Sequence, residues 1–130
     1  MQINYQKIYE RLGYPFYAIA AADNVVTKNE VSRLKEMVQN VWVPIEETTD
    51  EFGTDAAQYI SISFDYLMNE GVEADQAFDG FKDYYVTHPA AFSKNIRRNM
   101  KTTASAIAEA FRGRNKQESA FLEKLNDLLE

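Results

Sequence analysis

Few side chains in this chain could do chemistry. It contains no cysteine, so disulfides, thiolate zinc sites and cysteine nucleophiles are excluded. His88 is the only histidine, which removes two-histidine metal sites and leaves a single imidazole that could act as a base. Because His88 precedes Pro89, its simplest role is to end one helix before the next begins. Most hydrolase chemistry is therefore absent, and we expect no enzymatic activity.

Two carboxylates occur at a spacing that is typical of helix starts. Thr27 is followed three residues later by Glu30, and Asn115 is followed at the same distance by Glu118. In such a capping box the first side chain accepts a hydrogen bond from the glutamate's amide, and the glutamate side chain reaches back to the first residue's amide. The pattern predicts that a helix begins after each of these two residues.

The two capping boxes belong to a longer internal repeat. A shift of 88 positions places the alanine-rich segment 18–30 on the segment 106–118. The matched pairs include Ile8 with Ile96, Leu12 with Met100, Ala18 with Ala106, Ile19 with Ile107, Ala20 with Ala108, Ala22 with Ala110, Lys28 with Lys116 and Leu34 with Leu122. We therefore expect two pseudo-symmetric helical halves, roughly 3–45 and 89–129.

Apolar residues recur at helical spacing along the chain, and no credible strand pattern is found. We predict an all-α fold of about six or seven helices. Its 130 residues have the usual size of one domain, so residues 1–130 are expected to form a single helical domain. Acidic connector helices between residues 46 and 88 would join the two halves.

Three places along these helices have specific expectations. A proline follows Gly13-Tyr14, so we expect a break or kink there. Trp42 lies on the apolar stripe of its helix and is assigned to the core. Gly80 lies inside a predicted helix, where it either weakens the helix by about 1 kcal/mol relative to alanine or permits close packing of another helix.

The segment Ala18-Ile19-Ala20-Ala21-Ala22-Asp23, followed by Val26 and Glu30, resembles the signature of the tellurite-resistance TerB-like family. In that signature an alanine-rich helix ends in an Ala-Asp-Gly turn, and a glutamate follows early in the next helix. Asn24 stands where the family has its glycine, and asparagine also tolerates the left-handed conformation. The resemblance implies an all-helical domain of two pseudo-symmetric halves, with membrane-associated or stress-response partners.

In the TerB-like family the acidic residues of the signature are proposed to bind a divalent metal. The resemblance therefore implies Asp23, Glu30 and Glu118 as ligands. Phe111 stands where the second half should have its aspartate, which leaves three carboxylates, and oxygen ligands of this kind suit magnesium or calcium. Helix capping explains the same residues, because both glutamates close capping boxes and Asp23 can hold its turn through its own side chain.

The net charge of −6 hides two regions of opposite sign. Residues 46–83 contain eleven carboxylates against one lysine, whereas residues 94–116 contain seven basic residues against one glutamate. The basic residues, which we predict to form a partner surface, are Lys94, Arg97, Arg98, Lys101, Arg112, Arg114 and Lys116. A pI of about 4.8 and the lack of a recognisable reading helix or stacking pair argue against nucleic acid. We therefore expect this surface to bind a protein, which could be the acidic region of a second copy. The simpler explanation of the same charges is a helix face that is only solvated.

The N-terminal residues lack the apolar core of a signal peptide, and no run approaches the ~20 apolar residues that span a bilayer. We therefore expect a cytoplasmic protein without membrane insertion. The leading hypothesis is a small, soluble, non-enzymatic binding domain that resembles TerB-like proteins and binds a divalent cation through the motif carboxylates. The alternative is a protein-interaction or homo-oligomerisation module without a metal. A hydrolase or phosphotransferase would need a further base or nucleophile that the sequence does not identify.

Overall fold

The computed structural model of this chain describes residues 5–22, 26–42, 57–110 and 116–129. Within these ranges the chain forms α-helices and no strand, which confirms the all-α prediction. The six α-helices are α1 (Tyr5–Ala20), α2 (Lys28–Met37), α3 (Gln58–Glu70), α4 (Ala74–Thr87), α5 (Lys94–Glu109) and α6 (Lys116–Leu129). A π-helical turn, Val38–Trp42, extends α2, and a 3-10 turn, Pro89–Ala91, precedes α5.

Helix α1 is the centre of the structure, because it contacts each of the other five α-helices. Its large side chains Leu12, Phe16 and Ile19 are fully buried. Ala18 and Ala20 are fully buried as well, and their small side chains let neighbouring helices approach from more than one side. The alanine-rich segment therefore serves close packing around one central helix.

The break expected at Gly13-Tyr14 does not occur, because α1 continues through Gly13 and contains Pro15 in its interior, and the alternative of a kink stays a prediction. A proline in a helix interior costs about 3 kcal/mol, since it removes a backbone hydrogen bond and crowds the preceding turn. Packing overrides this local preference: a Cβ atom on Gly13 would overlap the Ser63 hydroxyl and lie 2.7 Å from the carbonyl oxygen of Ile60. The glycine marks the place where α1 presses against α3.

Gly80 has the second of its two predicted roles, which is close packing. A Cβ atom there would lie 3.2 Å from the Tyr14 ring, so α4 meets α1 at this point.

Helix ends follow local signals. Gly71 ends α3 with a positive φ of 65°, which glycine adopts without strain, and the Ser93 hydroxyl accepts a hydrogen bond from the Ile96 amide at the start of α5.

Trp42 is a core residue, as the sequence predicts. It is fully buried, and its indole Nε1 donates a 3.0 Å hydrogen bond to the Thr103 hydroxyl of α5. The rings of Tyr9 and Phe16 lie 5.9 and 6.4 Å from the indole, measured between centroids. These contacts join the π-helical turn at the end of α2 to α1 and α5, so they hold α5 in place against the core.

Candidate functional site

The Glu30 carboxylate closes a complete capping box at the start of α2. Its Oε1 atom accepts hydrogen bonds from the Thr27 amide and the Thr27 hydroxyl, both at 2.9 Å, and the Glu30 amide donates to the Thr27 hydroxyl oxygen at 3.2 Å. The Glu30 side chain is fully buried. This geometry confirms the predicted cap and gives the glutamate a structural role in the first turn of α2.

The side chains of the other two candidate metal ligands, Asp23 and Glu118, lie outside the described residues. Asp23 lies outside the described residues, as does Phe111, which replaces the aspartate of the second half. Glu118 occupies the third position of α6, the position that Glu30 occupies in α2, but its side chain lies outside the described part. Among the residues whose positions are described, no group of three or more histidine, aspartate or glutamate side chains could hold a metal ion. The three-carboxylate site stays a prediction.

Three of the predicted partner-surface residues form a basic face on α5. Lys94 and Arg98 are exposed and Lys101 is half-buried. Positions separated by three or four residues lie on the same side of a helix, so the three cations follow one another over about 10 Å. None of them makes an ion pair with a residue that the structure describes. We call Lys94, Arg98 and Lys101 the basic face.

Arg97 does not belong to the basic face, although the sequence places it in the same cluster. Its Nη1 atom donates a 3.2 Å hydrogen bond to the carbonyl oxygen of Leu129, and its side chain is half-buried. Leu129 is the last residue of α6, where backbone carbonyls lack partners within the helix and the helix dipole favours a cation. Arg97 therefore links the C-terminal end of α6 to α5 through this hydrogen bond. Arg112 and Arg114 lie outside the described residues, as does the side chain of Lys116.

A shallow groove of about 490 Å³ runs beside the basic face, between α2 and α5. Arg33 and Met37 line it from α2, and Lys101, Thr102, Ser105, Ala106 and Glu109 line it from α5. Arg33 forms a 2.7 Å ion pair with Glu36, so its charge is locally balanced. The small side chains of α5 make the groove, and Lys101 supplies its uncompensated positive charge.

The acidic region presents a matching row on α4. Asp75, Asp79 and Asp83 are exposed and are separated by four residues each, so they lie along one side of the helix. Asp65 of α3 is different, because it forms a 3.4 Å ion pair with Lys35 of α2. The exposed negative charge of the described residues therefore includes a row on α4 with almost the same spacing as the basic face on α5.

A cleft of about 440 Å³ lies where α1 ends and α3 turns into α4. Tyr17 lies at this cleft, and its hydroxyl donates a 2.6 Å hydrogen bond to the Val72 carbonyl oxygen. Burial raises the pKa of the Tyr17 hydroxyl above its ordinary value, because an ionised phenol would lose its hydration. The other lining residues are Ala21, Val26, Met68, Gly71, Val72, Glu73 and Ala74. The cleft exposes polar and apolar surface in similar amounts, and its tyrosine has a structural role.

His88 is an exposed residue at the end of α4, and its ring stacks on Tyr84 at 4.4 Å between centroids. Its Nδ1 atom lies 2.9 Å from the Thr87 hydroxyl and 3.1 Å from the Tyr84 carbonyl oxygen. The predicted role at a helix end is confirmed, since α4 stops at Thr87. The guanidinium carbon of Arg11 in α1 lies 5.8 Å from the centroid of the Tyr84 ring, a contact that no sequence pattern predicts. Gly80, Tyr84 and His88 are separated by four residues each, and this spacing predicts only that they lie on the same side of α4.

We compared the chain with known protein families, curated proteins and solved structures. No protein-family model, curated protein or solved structure matches the chain. Across the described ranges, no helix is both long enough and apolar enough to cross a bilayer.

Proposed function

We propose that this chain is a non-enzymatic protein-interaction domain that binds an acidic partner through the basic face of α5. The observation that carries the proposal is the set of three cations, Lys94, Arg98 and Lys101, which have no carboxylate partner among the described residues. Carboxylates outnumber basic residues in the chain by 20 to 14, so these cations are not left over for lack of acids. A row of uncompensated cations attracts a negatively charged surface and orients it on approach.

A second copy of the chain is one acidic partner with suitable geometry. The row Asp75, Asp79 and Asp83 on α4 has a spacing of about 6 Å between successive charges, and Lys94 and Arg98 on α5 have the same spacing. A helix-to-helix contact between two copies could therefore pair charges in register. Charge pairing at exposed positions is screened over about 8–10 Å at ordinary ionic strength, so such a contact would weaken in salt.

Metal binding is the competing proposal, and the capping geometry of Glu30 argues for a structural role instead. The Oε1 atom already accepts two hydrogen bonds from Thr27, as a cap requires. The capping role does not depend on Asp23 or on a cation. Asp23 and Glu118 remain the residues that would hold magnesium or calcium if the TerB-like resemblance extends to function.

The two-halves proposal, and with it the TerB-like resemblance, has support in the placement of matched residues. Lys28 of α2 and Lys116 of α6 both lie in helices, at the predicted shift of 88 positions. Residues matched by this shift are buried in both copies: Ile8 and Ile96, Leu12 and Met100, Ile19 and Ile107, Ala20 and Ala108, Leu34 and Leu122. We infer that the pairs α1–α2 and α5–α6 are related halves, placed around the acidic helices α3 and α4.

The proposed binding is tested with a fluorescent oligoglutamate peptide as probe and fluorescence polarisation as readout. Arg98→Glu reverses one charge of the basic face, and we expect it to weaken binding at least about tenfold at low salt. Lys28→Glu is the matched control, because Lys28 is also exposed but lies at the start of α2. Equal weakening by both variants, or no binding by the wild-type chain, would contradict the basic face as a specific surface. Sedimentation velocity at low and high salt tests the second-copy form.

Thermal unfolding decides the competing metal proposal. Wild-type protein and Asp23→Asn are melted in EDTA and then with magnesium or calcium. A cation held at about 100 times its dissociation constant stabilises a protein by about 2.7 kcal/mol, which moves the midpoint by several degrees in a domain of this size. A shift that disappears in Asp23→Asn would establish the metal site. No shift with either cation would leave the carboxylates as helix-end residues.

A further inference from the structure

A seam of rings and one cation lies along the contact between α1 and α4. The guanidinium carbon of Arg11 lies 4.9 Å from the centroid of the Tyr14 ring and 5.8 Å from that of Tyr84. On the α4 side the next ring is His88, stacked on Tyr84 with an angle of 21° between planes. Arginine held against tyrosine rings gains cation–π attraction and a fixed orientation of its planar group.

The rings that hold Arg11 are themselves held by the core. Tyr14 packs over Gly80, where a side chain would come within 3.2 Å of its ring. Tyr84 meets the buried Phe92 ring edge-on at 6.0 Å between centroids. The guanidinium is therefore oriented before any ligand arrives, and such pre-organisation lowers the ordering cost of binding.

Arg11 carries a charge that is not balanced by an ion pair with any described residue. It makes no ion pair or hydrogen bond with a residue that the structure describes. Its Nε atom is buried and has no hydrogen-bond acceptor, so the cation loses part of its hydration and gains no hydrogen bond in exchange. The neighbouring carboxylate, Glu10, is paired with Lys7 at 3.9 Å. In a chain of net charge −6, a half-buried guanidinium would ordinarily form an ion pair with a carboxylate.

We infer that the Arg11 guanidinium, held between Tyr14 and Tyr84, is a binding site for a small oxyanion, either a phosphate or a carboxylate. The two Nη groups are the donors, because they are not closed off as Nε is, and their fork matches two oxygen atoms of either anion. The surrounding rings lower the local polarity, which strengthens a charge-assisted hydrogen bond. The site lies on α1 and α4, apart from the basic face on α5, so it does not depend on the proposed function.

The test is an NMR titration of the full 15N-labelled chain with inorganic phosphate and, separately, with acetate, at constant ionic strength in chloride. The side-chain Nε–H signal of Arg11 is followed, and that of Arg33, whose guanidinium is already paired with Glu36 at 2.7 Å, is the internal control. We expect a saturable shift at Arg11, with a dissociation constant at least about tenfold lower than any response at Arg33. Saturation by phosphate or by acetate identifies which oxyanion the site prefers.

Two variants separate binding from a structural role. Arg11→Lys keeps the charge but lacks the fork, and we expect the response of the Tyr84 and His88 amides to the anion to lose saturation. Tyr84→Leu keeps the guanidinium and removes one ring that orients it, so it should weaken binding several-fold. An Arg11 signal that follows that of Arg33 in proportion, or that does not move, would overturn the inference and leave Arg11 as a packing residue. Neither result bears on binding by Lys94 and Arg98.

Discussion

Gly13 of α1 lies so close to Ser63 of α3 that a methyl group on the glycine would overlap the serine hydroxyl. The Ile60 carbonyl oxygen would be 2.7 Å from the same methyl group, and it belongs to the backbone, which cannot turn aside as a side chain can. The contact between the central helix and α3 therefore depends on the absence of a side chain at one position.

Gly13→Ala is expected to lower the free energy of unfolding by about 1–3 kcal/mol through overpacking, despite the gain of about 1 kcal/mol in helix propensity. Chemical denaturation measures this change. Gly80→Ala is the matched control, because its methyl group would meet only the Tyr14 ring at 3.2 Å, and we expect a smaller effect. Adding Ser63→Ala to Gly13→Ala should recover part of the loss. A Gly13→Ala protein as stable as wild type would contradict the close approach.

Thr103→Val tests the buried hydrogen bond from Trp42. The substitution keeps the side-chain shape but leaves the indole N–H without its acceptor in the core, which should cost about 1–3 kcal/mol. Unfolding is followed by the fluorescence of Trp42, the only tryptophan. Thr102→Val, at an exposed neighbouring position, should change stability by less than about 0.5 kcal/mol. Equal effects of the two variants would mean that the hydrogen bond does not contribute.

Thr27→Ala removes the side chain that caps α2, and we expect a loss of about 1 kcal/mol whether or not a divalent cation is present. Asn29→Ala, one position before Glu30 and exposed, is the control that should have little effect. Glu30→Gln keeps an oxygen that can accept from the Thr27 amide, so its loss should be partial. Thermal melts in EDTA provide the measurement, and a Thr27→Ala melt equal to that of Asn29→Ala would refute the cap.

Tyr17→Phe removes the hydrogen bond to Val72 and should cost about 0.5–1.5 kcal/mol at neutral pH. Burial raises the pKa of Tyr17 above the ordinary 10.0, so the folded state prefers the protonated phenol. The stability that this tyrosine contributes is complete below about pH 10 and is lost as the pH rises through the raised pKa.

The difference in stability between wild type and Tyr17→Phe should therefore shrink as the pH rises above about 10. Tyr66→Phe is the control, because Tyr66 is 58% exposed and its substitution should change the free energy of unfolding by less than about 0.5 kcal/mol. Denaturation curves across the alkaline range measure both differences. A constant difference for Tyr17→Phe would show that its phenol titrates alike in the folded and unfolded states.

Much of the fold could be predicted because its signals are local. The capping box of Thr27 and Glu30 depends on residues three positions apart, and the stop after α3 depends on Gly71 alone. Apolar periodicity identified the helices and placed Trp42 in the core, since a helix face is set by spacing within a few turns. The same reasoning gave the basic face, because Lys94 and Arg98 are one turn apart on α5.

The errors came from contacts between distant segments. The sequence predicts a break or kink at Gly13-Tyr14, where proline disfavours helix, but α1 continues there because its burial against the other described helices outweighs that preference. The sequence places Arg97 in the partner surface, yet Arg97 binds the carbonyl oxygen of Leu129, 32 residues away. The contact of Arg11 with Tyr84 has no sequence signal, because α1 (Tyr5–Ala20) and α4 (Ala74–Thr87) are far apart in the chain.

By itself the sequence determined the all-α class, the starts and ends of several helices, the opposite charge of two regions and the lack of cysteine chemistry. These properties follow from composition and from interactions within one or two helical turns. Only the tertiary structure decided which cations stay free for a partner, because that depends on which helix ends and rings meet them. Arg97 reaches a helix end, Arg11 reaches two rings, and Arg98 makes no ion pair with the described residues, although all three are arginines on helices.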